Sequence, residues 1–151
     1  SDAYPVISGS RVAWMRTLTT NDDWEIMTST GGPPIQLSSN TVSDQGLAMH
    51  GSDLFWLASN PEARVWRYDG STAYPVSAVG DYACDSLIHD ADGDHATWIA
   101  TYGAAGDDRE VVYYDGSTAI RLTDNLIDDA FPKLSGDRVV WQGRGGIDDR
   151  G

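Results

Sequence analysis

Ser135-Gly136-Asp137-Arg138-Val139-Val140-Trp141 decides the fold, because the chain writes variants of this stretch four times. Ser8-Gly9-Ser10-Arg11-Val12-Ala13-Trp14 comes first, then Gly51-Ser52-Asp53-Leu54-Phe55-Trp56, then Asp92-Gly93-Asp94-His95-Ala96-Thr97-Trp98. The four tryptophans stand 42, 42 and 43 residues apart. The flanks repeat as well, since Asp2-Ala3-Tyr4-Pro5 is echoed by Asp129-Ala130-Phe131-Pro132.

A second script follows within each unit. Asp108-Arg109-Glu110-Val111-Val112-Tyr113-Tyr114-Asp115-Gly116 aligns with Glu62-Ala63-Arg64-Val65-Trp66-Arg67-Tyr68-Asp69-Gly70 and, in the first unit, with Asp23-Trp24-Glu25-Ile26-Met27. Each unit then closes on a short apolar piece: Ile35-Gln36-Leu37, Tyr74-Pro75-Val76 and Ile120-Arg121-Leu122. These are four strand-length segments, A to D, separated by Gly-centred turns that favour hairpins. The B segments are apolar on both faces, as in a strand covered by sheets on either side. Four short antiparallel strands per 40–45 residues is the arithmetic of a β-propeller blade. The expected fold is therefore all-β: a partial β-propeller of about three and a half four-stranded antiparallel blades. The units span residues 1–43, 44–84, 85–128 and 129–151, the last supplying only strands A and B.

The succession Phe131-Pro132, Ser135-Gly136-Asp137-Arg138-Val139-Val140-Trp141, Asp108-Arg109-Glu110-Val111, Tyr114-Asp115-Gly116 and Arg121-Leu122-Thr123 resembles TolB-type propeller repeats, over the whole chain. The second unit departs from the pattern, with Pro61-Glu62 where the others have an Asp pair. The resemblance implies an architecture rather than an activity, because propeller blades serve unrelated roles. It also implies that B–C and D–A loops share one face, around the mouth of the central channel. Closed propellers have four or more blades, so the chain is expected to be a piece of a larger propeller or a subunit that completes its ring by self-association, as a homodimer.

Composition narrows the partners. Among 151 residues the acids outnumber the bases 23 to 10, giving a net charge of −13. That argues against nucleic acid or a membrane surface as the partner, both of which need a basic footprint. No apolar run approaches the roughly 18–20 residues that cross a bilayer, and no charged-then-apolar leader opens the sequence. Twenty of the acids are Asp, a turn former, and only three are Glu. One cysteine, Cys84, leaves no internal disulfide; it reads as packing rather than as a nucleophile. An extracellular or periplasmic location is compatible with the Asp-rich, Lys-poor composition and with the resemblance.

The blade layout sorts the acids. Asp22, Asp23, Asp44, Glu62, Asp81, Asp85, Asp107, Asp108, Asp124, Asp128, Asp129, Asp148 and Asp149 fall in the loops of the channel-mouth face. One member per unit, Asp2, Asp44, Asp85 or Asp129, precedes strand A. Such a ring can hold a cation or basic ligand. It can equally fix each D–A crossover by accepting loop amides, and repetition in every unit favours that structural role. Trp14, Trp56, Trp98 and Trp141 share a register and are expected between blades. Trp24 has no aromatic counterpart; with Tyr102 it is the candidate for stacking on a sugar or peptide side chain. The ligand-binding set is thus Asp23, Trp24, Asp44, Asp85, Tyr102, Asp108, Asp129 and Asp149.

No motif implies a metal or a cofactor. His89-Asp90-Ala91-Asp92-Gly93-Asp94 imitates a calcium loop, but His95 and Thr101 stand where Gly and Glu are needed. His50, His89 and His95 lie around A–B turns and form no zinc motif. No nucleophile elbow is present. The functional expectation is a non-catalytic module binding a protein or peptide through an acidic loop face. The alternative is a fragment of a propeller-fold hydrolase or lyase using loop carboxylates.

Overall fold

The computed structural model describes residues 1–17, 23–59, 63–78, 82–102 and 109–143, with only the backbone for 82–87. Every regular element among them is a strand. The first sheet holds β1 (Asp2–Ser8), β2 (Arg11–Thr17), β3 (Trp24–Ser29) and β4 (Ile35–Gln36) in that spatial order. The second holds β5 (Asp44–His50), β6 (Asp53–Ala58), β7 (Arg64–Tyr68) and β8 (Ala73–Pro75). The third holds β9 (Tyr82–Asp92), β10 (His95–Thr101), β11 (Arg109–Tyr114) and β12 (Ala119–Arg121); β13 (Asp129–Ser135) and β14 (Arg138–Gly143) make a two-stranded fourth. All pairings are antiparallel. First strands of successive sheets neighbour one another, β1 beside β5, β5 beside β9 and β9 beside β13. This is the partial β-propeller that the repeat arithmetic expects. The expected unit boundary after Cys84 falls inside β9, which begins at Tyr82.

Alternation along the B strands stacks the sheets. Leu54 and Trp56 face the first sheet, in a cluster with Ala13, Met15, Ile26 and Tyr68. Their neighbours Phe55 and Leu57 face the third sheet, with Trp98, Ala96, Ala100, Val112 and Tyr114. Strands β6 and β10 are consequently buried on both faces. Tryptophan in this register points towards the preceding sheet. Trp56 and Trp98 are therefore fully buried. Trp14 instead lies on the far face of the first sheet, its Nε1 donating to Asp2 Oδ1 at 2.9 Å under the Arg16 guanidinium. Trp141 is 42% exposed. The expectation that all four indoles are buried between blades thus holds for the inner two only, because burial needs a sheet on both sides.

The turns are fixed locally. Asp69 Oδ1 accepts from the amides of Ser71 and Thr72, and Asp115 Oδ1 from those of Ser117 and Thr118, all at 2.7–2.9 Å. These bonds hold both carboxyls below the usual range and leave Gly70 and Gly116 at the positive φ their turns need. Adjacent A–B turns are tied sheet to sheet, Gly51 N donating to Ser8 Oγ at 2.8 Å and Gly136 N to Asp92 Oδ2 at 2.7 Å.

Three of the first strands, β1, β5 and β13, also carry a bulge at one repeated place, between Ala3 and Val6, Gln45 and Ala48, and Ala130 and Lys133, whereas the ladder of β9 shifts elsewhere. Tyr4, Gly46 and Phe131 occupy it with φ of 52°, 68° and 52°. The Tyr-Pro and Phe-Pro echo in the sequence is therefore a bulge, where proline's missing N–H does no harm to the ladder.

Removing an indole from between sheets leaves a cavity that costs about 3–5 kcal/mol. Urea denaturation in dilute protein should show Trp56→Ala and Trp98→Ala each losing that much, and Trp14→Ala less than half of it.

Candidate functional site

The crossover from the first sheet to the second is built around a buried carboxylate. Glu25, in β3, is buried; its Oε2 accepts from Ser38 Oγ at 2.6 Å and its Oε1 from Asn40 N at 3.1 Å. Ser38 Oγ accepts in turn from Ile26 N at 2.8 Å. Asn40 Oδ1 takes Val42 N at 2.7 Å, and its Nδ2 donates to Asp44 Oδ2 at 3.2 Å. A loop that would otherwise hold unpaired amides is thereby satisfied by side chains.

The third unit repeats this construction 85 residues later. Val111 N donates to Thr123 Oγ1 at 2.9 Å, Asn125 N to Glu110 Oε1 at 3.0 Å, Ile127 N to Asn125 Oδ1 at 2.7 Å, and Asn125 Nδ2 to Asp129 Oδ2 at 3.2 Å. Among its described residues the second unit keeps Ser77, which takes Val65 N at 2.9 Å. Arg64 stands in the register of Glu25 and Glu110.

The two full networks differ in their cations. In the third unit Arg121 Nη2 reaches Glu110 Oε1 at 3.1 Å, and Arg109 Nη2 reaches Asp128 Oδ2 at 3.0 Å, beside Asp129. Burial pushes the Glu110 carboxyl up, but the Thr123 hydroxyl, the Asn125 amide and Arg121 outweigh it and hold it below the usual range. In the first unit the same positions are Gln36, Trp24 and Ser43. Among the described residues no Arg, Lys or His pairs with Glu25 or Asp44. Asp44 is fully buried, and its Oδ1 has no hydrogen-bond partner; neither has the buried Oδ1 of Asp23. Burial, aided by the like charges of Glu25 and Asp23, pushes the Asp44 carboxyl up to about 7, against partial relief from Ser38 and Asn40.

Asp44 lines a cleft of about 650 Å³ between the first strands of the first two sheets. Tyr4, Pro5 and Val6 come from β1, Trp24 from the start of β3, and Ser43 to Leu47 from β5 and the residue before it. Trp24 meets Tyr4 edge-on, with ring centroids 6.4 Å apart. The β1 and β5 bulges lie at this cleft, since both Tyr4 and Gly46 line it. An aromatic wall beside an unpaired buried carboxylate suits a cationic group carried on an apolar stem.

Of the sequence-derived candidates, the structure brings Trp24 and Asp44 together, with Asp23 adjoining. Asp129 repeats Asp44 at the next crossover but one, buried on Asn125. Tyr102 belongs elsewhere: it packs against the core between the second and third sheets, under the Arg121 guanidinium 4.3 Å from its ring centre. Asp85 is corrected by register. Asp2, Asp44 and Asp129 pair across from the residue two beyond their tryptophan, whereas in the third sheet that residue, Ala100, pairs with Ala83. Extra residues in β9 displace Asp85 from the repeated position, and its side chain is not described. Asp108 and Asp149 lie outside the described residues. Glu25, Asn40, Glu110 and Asn125 were missed. Their signal was present in the sequence, as Glu, Ser or Thr, Asn and Asp at offsets of 13, 15 and 19 in both units.

The sheets and the cleft define an incomplete propeller with a recess between two blades. Its architecture is similar to that of acylaminoacyl peptidase from Pyrococcus horikoshii, with a TM-score of 0.67 at 10% identity, covering 93% of this chain and 23% of that one. It is likewise similar to TolB from Acinetobacter baumannii, with a TM-score of 0.64 at 17% identity, covering 93% of this chain and 37% of that one. The chain thus spans well under half of either protein, and the likeness is one of fold. No family model and no curated protein matches the sequence.

The Asp44 carboxyl gives stability a pH dependence. Its folded value lies above the ordinary aspartate value of 3.8, so the folded state holds the proton that the unfolded chain releases. Its contribution is full below about 4, falls as pH rises towards 7, and is flat above. Thermal melts should show Asp44→Asn matching the parent near pH 4 and exceeding it by several degrees at pH 8, roughly the effect of 1–2 kcal/mol.

Proposed function

We propose that this chain is a non-catalytic binding module that presents an acidic loop face to a basic protein or peptide. The observation that supports this most is the inter-blade cleft, lined both by an aromatic without a repeat counterpart, Trp24, and by Asp44, whose carboxyl keeps one oxygen without a hydrogen-bond partner. Stacked sheets supply the rigidity, and the crossovers supply the variation that selects a ligand. The buried acids Glu25 and Asp44 recur as Glu110 and Asp129 in matching hydrogen bonds, the mark of a structural framework. This weighs against the alternative of a hydrolase or lyase fragment, which needs two carboxylates in deliberately unlike surroundings.

A second copy of the chain completes the ring in this reading. What supports it is the flank of the fourth sheet, where β14 leaves Val140 67% and Trp141 42% exposed and, among the described residues, pairs with β13 alone.

Fluorescence anisotropy should find a labelled Arg/Lys-rich peptide binding the chain far more tightly than its Asp/Glu counterpart. Binding should weaken steeply between low salt and about 0.15 M, where the Debye length is about 8 Å. Equal binding of the two peptides contradicts the reading. Light scattering should give the mass of a dimer, shifting to monomer in Val140→Glu. A folded monomer at every concentration removes the shared ring and leaves the binding face standing.

A further inference from the structure

The first and third units share a carboxylate framework residue for residue, and the difference between them is informative. In the third unit two guanidinium groups from the chain itself attend it, Arg121 on Glu110 and Arg109 on Asp128. In the first unit, position by position, the arginines become Gln36 and Trp24, and Asp128 becomes Ser43. The acids remain. Glu25 and Asp44 are both buried, and Asp44 keeps one oxygen without a partner. An unpaired buried carboxylate is costly unless something outside the chain supplies the missing charge. Where the third unit places Arg109, the first has an indole lining a cleft of about 650 Å³, room for a ligand much larger than a lone ion.

We propose that the cleft between β1 and β5 is a binding site for a guanidinium group on an apolar stem, the cation pairing with Asp44 and the stem lying against Trp24 and Tyr4. This rests on the binding-module reading and names the group that such a partner inserts. The bound cation supplies at the Glu25–Asp44 pair the charge that Arg121 supplies on Glu110 in the third unit. The planar guanidinium suits the site better than a compact ammonium, because it stacks on an aromatic face while donating in its plane. The same group reaches the cleft either as a small free molecule or as an arginine side chain in a peptide.

The test uses the full chain, isothermal titration calorimetry and two probes, blocked arginine amide and its uncharged isostere, blocked citrulline amide. Arginine amide should bind at least about tenfold more tightly, the worth of one charge-assisted contact. Asp44→Asn should remove that preference. Trp24→Arg combined with Ser43→Asp, which copies the third unit, should abolish binding by filling the site from within. Thermal midpoints close to that of the parent separate loss of the site from loss of the fold. A blocked tripeptide with central arginine that binds more tightly than the amide identifies a peptide as the source; equal affinity identifies a small molecule. Equal binding of arginine and citrulline amides, or affinity unchanged in Asp44→Asn, overturns the proposal. If arginine amide fails to bind while the basic peptide still binds the parent, the cleft assignment falls and the binding module survives. If neither binds, both fall.

Discussion

Every feature of this chain depends on sheets that bury their apolar residues face to face. A four-stranded blade whose central strand reads Leu54-Phe55-Trp56-Leu57 has no polar face to offer water. It is stable only between two neighbours, and in β6 the even-numbered residues face one sheet and the odd-numbered residues the other. That requirement sets the spacing of the tryptophans, the antiparallel order within each sheet and the wedge-like succession of first strands. It also explains the gradient of burial along the chain, complete at Trp56 and Trp98 and partial at Trp14 and Trp141.

The crossovers meet a different constraint. Passing from the last strand of one sheet to the first of the next strips loop amides of ladder partners, and buried acids accept them. Placing carboxylates there creates an electrostatic problem, which the chain answers differently in different units. The third unit adds arginines; the second replaces the glutamate with Arg64; the first leaves Glu25, Asp44 and Asp23 close together with no described cation. Around this unbalanced charge the cleft opens, edged by the bulges that place Tyr4 and Gly46 in a left-handed conformation. Tolerating φ of 52° at a tyrosine costs on the order of 1–2 kcal/mol.

The architecture was legible in the sequence because each unit must solve the same packing problem, so its solutions recur at fixed spacing. Trp24 stood out for the converse reason, as an aromatic without a counterpart. The burial of Asp44 was less accessible, since the sequence shows an acid beside a strand but not the glutamate and asparagine that enclose it. Asp85 precedes the third unit's first strand in the sequence pattern, but extra residues in β9 shift it off the ladder position that Asp2, Asp44 and Asp129 share. Tyr102 misled because its partner, Arg121, arrives from a strand it does not adjoin in sequence. Local propensity explains the turns at Asp69 and Asp115. Only tertiary pairing explains which acids are left without a cation.

The claim on which the account stands is that the second and third sheets form a block buried on both sides. Amide hydrogen exchange resolved by residue tests it most directly. For the monomeric Val140→Glu variant the account predicts that β6, β7, β10 and β11 exchange slowest and at a common rate set by global unfolding, with β14 exchanging much faster. Protection spread evenly over all four sheets, or β14 as slow as β6, would contradict it.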